Sequence, residues 1–517
     1  MPLRSRLGLC LLTLALACGD DDAPTPPAAT TPAVDLRVVA ITDLQGYLEP
    51  CGCTSRPLGG IDRLAAKLQA LADEAPTVFV SAGDLWLAPQ GHGEAAATQE
   101  RWRAETLVAI LNDLGLAAAA PGPADLREGR ERFMALREAL GSPVLAAGAH
   151  VGETVLPAST RIEAGGLAMD VFGASRLDVD PVPALREALA ARSDVPPLTV
   201  ALVVGDRRAA RNVAALPGVD AVIVGGLARA EPLAPQATDG APIFHAGRQG
   251  QGLLVLDLFR PSAEGAWVDV SEWSLQTRRE ALEAEITDLE SRVAIWEREG
   301  RTGDDVATQR GRLEGLRAEL ASLRTPSLPE GRRGFAARWV ELDPDAPRAP
   351  TVRDRLAALD VRINDHNRTA LADHAPPALE EGQAGYVGSQ ACSSCHAAAF
   401  TWWRSHPHGR AYETLATRHK EFHLDCVGCH VTGYERPGGS TVTHLGDGGV
   451  LRDVGCENCH GPGSAHVAAP SSTNVQRDTP ASVCVRCHNE EHSDRFVYEA
   501  YRTTLLVPGH GRPEGSP

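Results

Sequence analysis

Four copies of one pentapeptide pattern sit between residues 392 and 488: Cys392-Ser-Ser-Cys395-His396, Cys426-Val-Gly-Cys429-His430, Cys456-Glu-Asn-Cys459-His460 and Cys484-Val-Arg-Cys487-His488. Each reads as a covalent c-type haem site, because two thiols at this spacing reach the two vinyl groups of one porphyrin while the adjacent imidazole coordinates the iron. Paired Cys-x-x-Cys units also make zinc sites, but zinc does not require a histidine directly after every second cysteine. A disulfide framework explains the histidines no better. The pattern constrains the fold as well. Residues 385–517 are poor in aliphatic runs and crowded with Cys, His, Gly and aromatics. Such a segment makes a poor core alone, and four haems would supply the missing apolar surface.

Haem of this type is attached outside the bacterial inner membrane, so an export signal is expected. Arg4 and Arg6 give a basic start, Leu7 to Ala17 an apolar run, and Ala15-Leu16-Ala17-Cys18 a small-residue cleavage site. The run is too short to span a bilayer. A cysteine at this point resembles a bacterial lipoprotein signal, which implies lipidation of Cys18 and attachment to a membrane; ordinary cleavage is the alternative, since the expected leucine falls one place early, at Leu14. Residues 19–34 are acidic and rich in Pro, Thr and Ala, as suits a disordered tether. The expected location is the periplasm or cell envelope. The net charge of −17 argues against a nucleic-acid partner. It suits either a cationic redox partner protein or a merely solvated acidic surface.

The first half reads as α/β. Short apolar strands at 36–42 and 77–83 end at Asp43 and at Gly83-Asp84, a helix from Ile61 to Leu71 lies between them, and further strands are expected at 143–147, 167–173, 198–204 and 219–224. Carboxylates at strand ends point toward a metal or phosphate site. Together with Gly59-Gly60-Ile61-Asp62-Arg63-Leu64, Ser81-Ala82-Gly83-Asp84, the run 218–226 and His245-Ala-Gly-Arg-Gln-Gly, these elements resemble the calcineurin-like metallophosphoesterases, in particular the 5′-nucleotidase branch. That resemblance implies an α/β sandwich with a two-metal site, of which Asp43 and Asp84 would be the remaining ligands. The other ligand positions of that family are changed: Asp43-Leu44-Gln45 replaces Asp-x-His, Gly122-Pro123-Ala124-Asp125 replaces Gly-Asn-His-Asp/Glu, Gly205-Asp206 lacks a histidine, and so does Gly225-Gly226-Leu227-Ala228-Arg229. Two carboxylates cannot replace about seven ligands, so no divalent metal and no hydrolysis are expected here. His92, His150 and His245 read as ordinary surface or loop histidines. The thiol pair Cys51 and Cys53 is the best candidate for residual chemistry in this half.

Apolar residues at 282, 286, 289, 293 and 296, then 306, 313, 316, 320 and 323, give a charged antiparallel helical hairpin turned at 300–303. A strand at 335–343 and a helix at 351–372 follow. The expected division is thus 1–18 signal peptide, 19–34 tether, 35–270 metallophosphoesterase-like domain, 271–325 hairpin, 326–384 strand, helix and connector, and 385–517 tetrahaem domain. The fold class is multidomain, an α/β sandwich with a hairpin insert followed by a mostly α and irregular haem domain.

Within 385–512, Trp403-Arg-Ser-His406-Pro-His408-Gly, Cys429-His430-Val-Thr-Gly-Tyr434, Val454-Gly-Cys-Glu-Asn-Cys-His-Gly-Pro-Gly463-Ser-Ala-His466 and Pro508-Gly-His510-Gly resemble the tetrahaem cytochrome c554 family. The resemblance implies electron transfer, with His396, His430, His460 and His488 as proximal ligands. It implies His408, His466 and His510 as distal ligands, with His406 competing with His408. For the fourth iron it leaves two alternatives, His423 as ligand or an open position. An open iron would make the chain an enzyme acting on a small nitrogen or sulfur compound. A working hydrolase fused to a cytochrome is the other rival reading.

Overall fold

The computed structural model describes residues 33–50, 56–89, 93–227, 232–236, 240–301, 303–324, 327–489, 492–493 and 495–512. The signal with Cys18, most of the tether, His92, and the pair Cys51 and Cys53 lie outside the described residues.

Short Val/Leu/Ala-rich runs build two six-stranded sheets. In the first, β1 (Leu36–Thr42), β2 (Thr77–Gly83) and β3 (Leu116–Pro121) run parallel, and β12 (Gly252–Phe259), β14 (Gly334–Glu341) and the short β13 (Val268–Asp269) extend the sheet beyond β1. In the second, β7 (Leu167–Ser175), β8 (Leu198–Val204), β9 (Ala221–Gly225) and β11 (Ile243–His245) run parallel, edged by β6 (Ser159–Ala164) and β10 (Leu233–Gln236). Their facing sides share one core, in which Val38, Ala40, Val80, Val171, Val200 and Leu254 are fully buried or nearly so. Near-continuous apolar strands are what a sheet covered on both faces requires.

Helices supply the outer layers. α1 (Ile61–Glu74), α2 (Ala97–Asp113), α3 (Arg130–Ala139) and α8 (Pro350–Ala370) cover the first sheet. α4 (Pro181–Ala190) and α5 (Arg207–Ala214) cover the second. The result is the four-layer α/β sandwich that the sequence resemblance implies. The hairpin forms as read, from α6 (Glu272–Arg298) and α7 (Asp304–Ser322), with Ile286, Leu289, Val293 and Leu313 at its seam.

Two expectations change. No strand forms at 143–147; Val144 makes a single bridge to Ala119, and the nearest ribbon is β4 (His150–Val151) with β5 (Thr154–Val155). The segment 326–384 does hold a strand and a helix, but they are parts of the sandwich. β14 pairs with β12 along its whole length, and Leu356, Leu359 and Ile363 of α8 lie in the core with Leu64 and Leu107.

Past residue 385 the backbone is short helices and turns: α9 (Ala397–Ser405), α10 (Ala411–Ala416), α11 (Leu424–His430), α12 (Cys456–His460), α13 (Ser464–Ala468), α14 (Ala481–Cys484) and α15 (Tyr498–Leu505). Its own apolar cluster is small, built on Tyr412, Val427, Val431, Val442 and Leu445.

Candidate haem-binding site

One helical turn presents both cysteines of each motif. α11 and α12 each end on the motif histidine, and the same i to i+4 bond closes the other two turns, from His396 N to Cys392 O and from His488 N to Cys484 O, both 2.9 Å. Residues three and four apart share a helix face, so each turn places two thiols and an imidazole together. All four motifs line one cavity of about 3670 Å³. That is several times the roughly 300–1,000 Å³ of an ordinary small-molecule pocket.

Across this cavity, histidine rings face one another in pairs. The ring centres of His396 and His466 are 6.3 Å apart, those of His460 and His510 6.2 Å, and those of His408 and His488 6.1 Å. A metal–imidazole bond is about 2 Å, so two imidazoles on one metal hold their ring centres roughly 6 Å apart. The separations fit a single metal atom between each pair.

The rings are also oriented from behind. Nδ1 of His430 lies 2.6 Å from Ala411 O, Nδ1 of His460 2.7 Å from Gln476 O, and Nδ1 of His510 2.6 Å from Leu505 O. Nδ1 of His466 is 3.0 Å from both Ser471 O and Asn474 Oδ1, and Nδ1 of His488 is 3.1 Å from Ser493 Oγ. An Nδ1–H donating to a carbonyl fixes the tautomer that leaves Nε2 bare for a metal. Burial depresses the basicity of His430 and His488 and, helped by the nearby His406 and His488, brings His408 down to about 4. Neutral imidazole is the ligating form. Aromatic faces close the walls, with Phe496 stacked on His488 and Trp402 on His510.

His406 lies beside His408, with ring centres 4.8 Å apart. Its ring lies against Trp402, and its Nδ1 accepts the backbone N–H of His408.

His423, the candidate for a fourth distal ligand, makes its own contacts outside the paired rings. It is fully buried at the N-cap of α11, and its Nε2 lies 3.1 Å from Asp360 O in α8. That bond engages Nε2 with α8, while Nδ1 is buried with no hydrogen-bond partner among the described residues. Among the described residues, the ring contacts bring no second imidazole face to face with His430.

The strand ends of the sandwich tell a different story. Asp43 accepts from Gly226 N at 2.8 and 3.0 Å, and Asp84 from Ala124 N at 2.8 Å. Asp125 accepts from the amides of Leu85, Trp86, Leu87 and Gly122 at 2.7 to 3.4 Å. Backbone amides engage carboxylate oxygens that a two-metal site would need. The packing is close: a Cβ at Gly83 would stand 2.1 Å from Asp43 Oδ1. His245 is not a surface or loop histidine, since it is fully buried on β11 with Nε2 3.6 Å from Asp43 Oδ2. His150, by contrast, is exposed.

Burial, and next the neighbouring Asp43, outweigh the Ala124 amide and push Asp84 up to about 6 from the usual 3.8. A carboxyl raised on folding gives stability that is complete below about 4 and is lost as pH rises through 6. Stability of the sandwich is therefore expected to increase as pH falls from about 7 to 5, with Asp84 contributing at most about 3 kcal/mol. Asp125, pushed up to about 7 by burial and by Asp84, adds to the same trend. Melting curves across that range check it: Asp84→Asn should show a shallower slope, and an unchanged slope would place the titration elsewhere.

Residues 391–461 match the family described as cytochrome c554 and c-prime. The haem region resembles cytochrome c554. Over 95 residues it is 37% identical to cytochrome c-554 of Nitrosomonas europaea, an alignment covering 16% of this chain and 40% of that protein. A cytochrome c region of this kind implies covalently bound haem with iron, and the paired rings and helical thiol turns described above fit that group. Solved structures similar to the chain are NAD nucleotidase of Haemophilus influenzae (17% identity, TM-score 0.37, 44% of this chain and 48% of that one), the 5′-nucleotidase precursor of Thermus thermophilus (14%, 0.42, 68% and 61%) and the Thermus thermophilus sulfate thiohydrolase SoxB (16%, 0.43, 66% and 62%). The chain thus spans less than two thirds of each of these relatives.

Three residues that engage the haem region escaped the sequence reading. Glu457, buried inside the third motif, accepts from the amides of Val387, Gly388 and Gly463 at 2.7 to 3.2 Å. The acidic residue ahead of Gly-Pro-Gly was visible but its targets were not. Gln99 and Arg103, which bind Asp425 from α2, carried no signal at all.

Proposed function

We propose that this chain is an exported electron carrier holding four covalent c-type haems. The observation that carries the reading is the set of three histidine pairs at 6.1 to 6.3 Å in one cavity lined by all four motifs. On this reading Cys392 and Cys395, Cys426 and Cys429, Cys456 and Cys459, and Cys484 and Cys487 attach the haems. The axial pairs are His396 with His466, His460 with His510, and His488 with His408. His430 alone holds the fourth iron, which is open on its other side. Bound haem supplies a one-electron iron couple. The protein's part is to ligate, to bury and to hold the sites close enough for electrons to pass between them.

The sandwich serves as a scaffold and not as a hydrolase, a reading supported by the amides that engage Asp43 and Asp84. Location in the periplasm or cell envelope, lipidation at Cys18 and redox partner proteins as donor and acceptor belong to the same proposal. A second reading, haem chemistry on a small nitrogen or sulfur compound, is favoured by the lack of a facing imidazole at His430 among the described residues. Among these residues no helix is long and apolar enough to cross a membrane.

Expression of the full chain in a host competent for c-type maturation, with denatured mass and a reduced pyridine spectrum, tests the proposal. Four haems per chain are expected. None, with free thiols or bound zinc, would overturn it.

A further inference from the structure

The sandwich grips the haem region at residues 420–425, and that segment leads directly into the second motif. Asp425, next to Cys426, receives Arg103 Nη1 at 2.5 Å and also Gln99, both from α2. Gln99 Oε1 accepts from Leu424 N at 3.3 Å and from Asn367 Nδ2 at 3.0 Å. Asn367 in turn donates to Phe422 O at 2.9 Å, and Asn364 accepts from Phe422 N at 2.9 Å. Lys420 pairs with Glu49, in the loop after β1, and lies 3.3 Å from Asp360, while His423 is held by Asp360 O. Gln99, Asp360, Asn364, Asn367 and His423 are buried.

Bonds at the other motifs tie them to residues of the haem region. Ser389 Oγ receives Cys456 N, Thr432 Oγ1 receives Gly455 N, Thr479 donates to Cys459 O, and Ser493 meets His488. Residues 420–425, by contrast, answer to three separate elements of the sandwich. A buried polar network with complementary partners specifies one arrangement and tolerates few others. The motif it fixes is the one whose histidine has no facing imidazole among the described residues.

We infer that the phosphoesterase-like domain is a clamp dedicated to the second haem, with Gln99, Arg103, Glu49, Asp360, Asn364 and Asn367 as positioning residues that hold α11 and keep His423 off the iron at His430. This rests on the four-haem reading. The degenerate domain thereby acquires a specific role, since it sets the geometry and accessibility of the open iron and leaves the three histidine pairs alone.

The test uses the full haem-loaded chain. Gln99→Leu and Arg103→Leu are made singly, and Arg161→Ala, which breaks an ion pair with Asp170 at the far edge of the second sheet, serves as control. Haem per chain, low-temperature electron paramagnetic resonance and the rate of nitric oxide binding to the reduced protein are read. The expected result is an unchanged haem count and three unmoved low-spin signals, with a shifted high-spin signal and a severalfold change in nitric oxide binding in the two clamp variants only. Combining Arg103→Asp with Asp425→Arg should restore the wild-type signal relative to Arg103→Asp alone. Should Arg103→Leu not accumulate, Asp425→Asn carries the same test. A high-spin signal unmoved in both variants, or all four haems altered together, overturns the clamp. Wild-type protein with four haems and no high-spin iron overturns the open site itself and the clamp with it.

Discussion

Replacing His466 by alanine is expected to convert one of three low-spin haems to high spin while the covalent haem count stays unchanged. The same outcome is expected for His510→Ala and His408→Ala, each on a different iron. The reason is geometric. Each of these rings faces a motif histidine at 6.1 to 6.3 Å, so its removal leaves one side of a metal between them without a protein ligand. Axial ligand identity is one of the protein's main controls over a haem iron. Quantitative spin counting on the oxidised protein reads the result, and nitric oxide should bind one additional iron in each variant. His423→Ala is the decisive comparison. Its ring is buried against α8, so the number of low-spin haems should not change, whatever the cost to packing. Loss of a low-spin signal in His423→Ala, or its persistence in His466→Ala, would sink the pairing.

That contrast also marks where sequence reading stops. The proximal side of every site is local: two thiols and an imidazole within one helical turn, legible from spacing alone. The distal side is not local. His396 faces a ring seventy positions away, and no periodicity links them; only the family resemblance nominated His408, His466 and His510. His423 stood equally near a motif in sequence, but its fate is decided by Asp360, sixty-three positions upstream in another domain. The strands of the sandwich were legible because buried parallel strands are continuous apolar runs. Their partners were not: β14 pairs with β12 across an intervening hairpin, so a strand read correctly was placed in a connector. His245 looked like an isolated loop histidine because nothing in its neighbours reveals that β11 lies inside the second sheet, with its end at Asp43.

Glu457→Ala is expected to be the most damaging single change in the haem region outside the ligands. Its carboxylate accepts from Val387 N at 3.0 and 3.2 Å, Gly388 N at 2.7 Å and Gly463 N at 2.7 Å, and it is only 4% exposed. Each buried amide left without an acceptor costs about 1–3 kcal/mol, so three together cost on the order of 3–9 kcal/mol. Against a total stability of roughly 5–15 kcal/mol, that is enough to prevent the region from holding its fold. Glu457→Gln should be milder, since one oxygen remains, but its NH2 must oppose at least one N–H donor. The two segments so tied are the approaches to one pair of rings: Val387 and Gly388 lead to Cys392 and His396, and Gly463 leads to His466. Glu457→Gln should therefore disturb the low-spin signal of that pair first, and thermal unfolding followed by haem absorption should begin at lower temperature than in wild type. Equal melting of wild type and Glu457→Ala, with all haems retained, would show that the three amides find acceptors elsewhere. The acidic residue of the third motif would then owe its place to the cofactor and not to the chain.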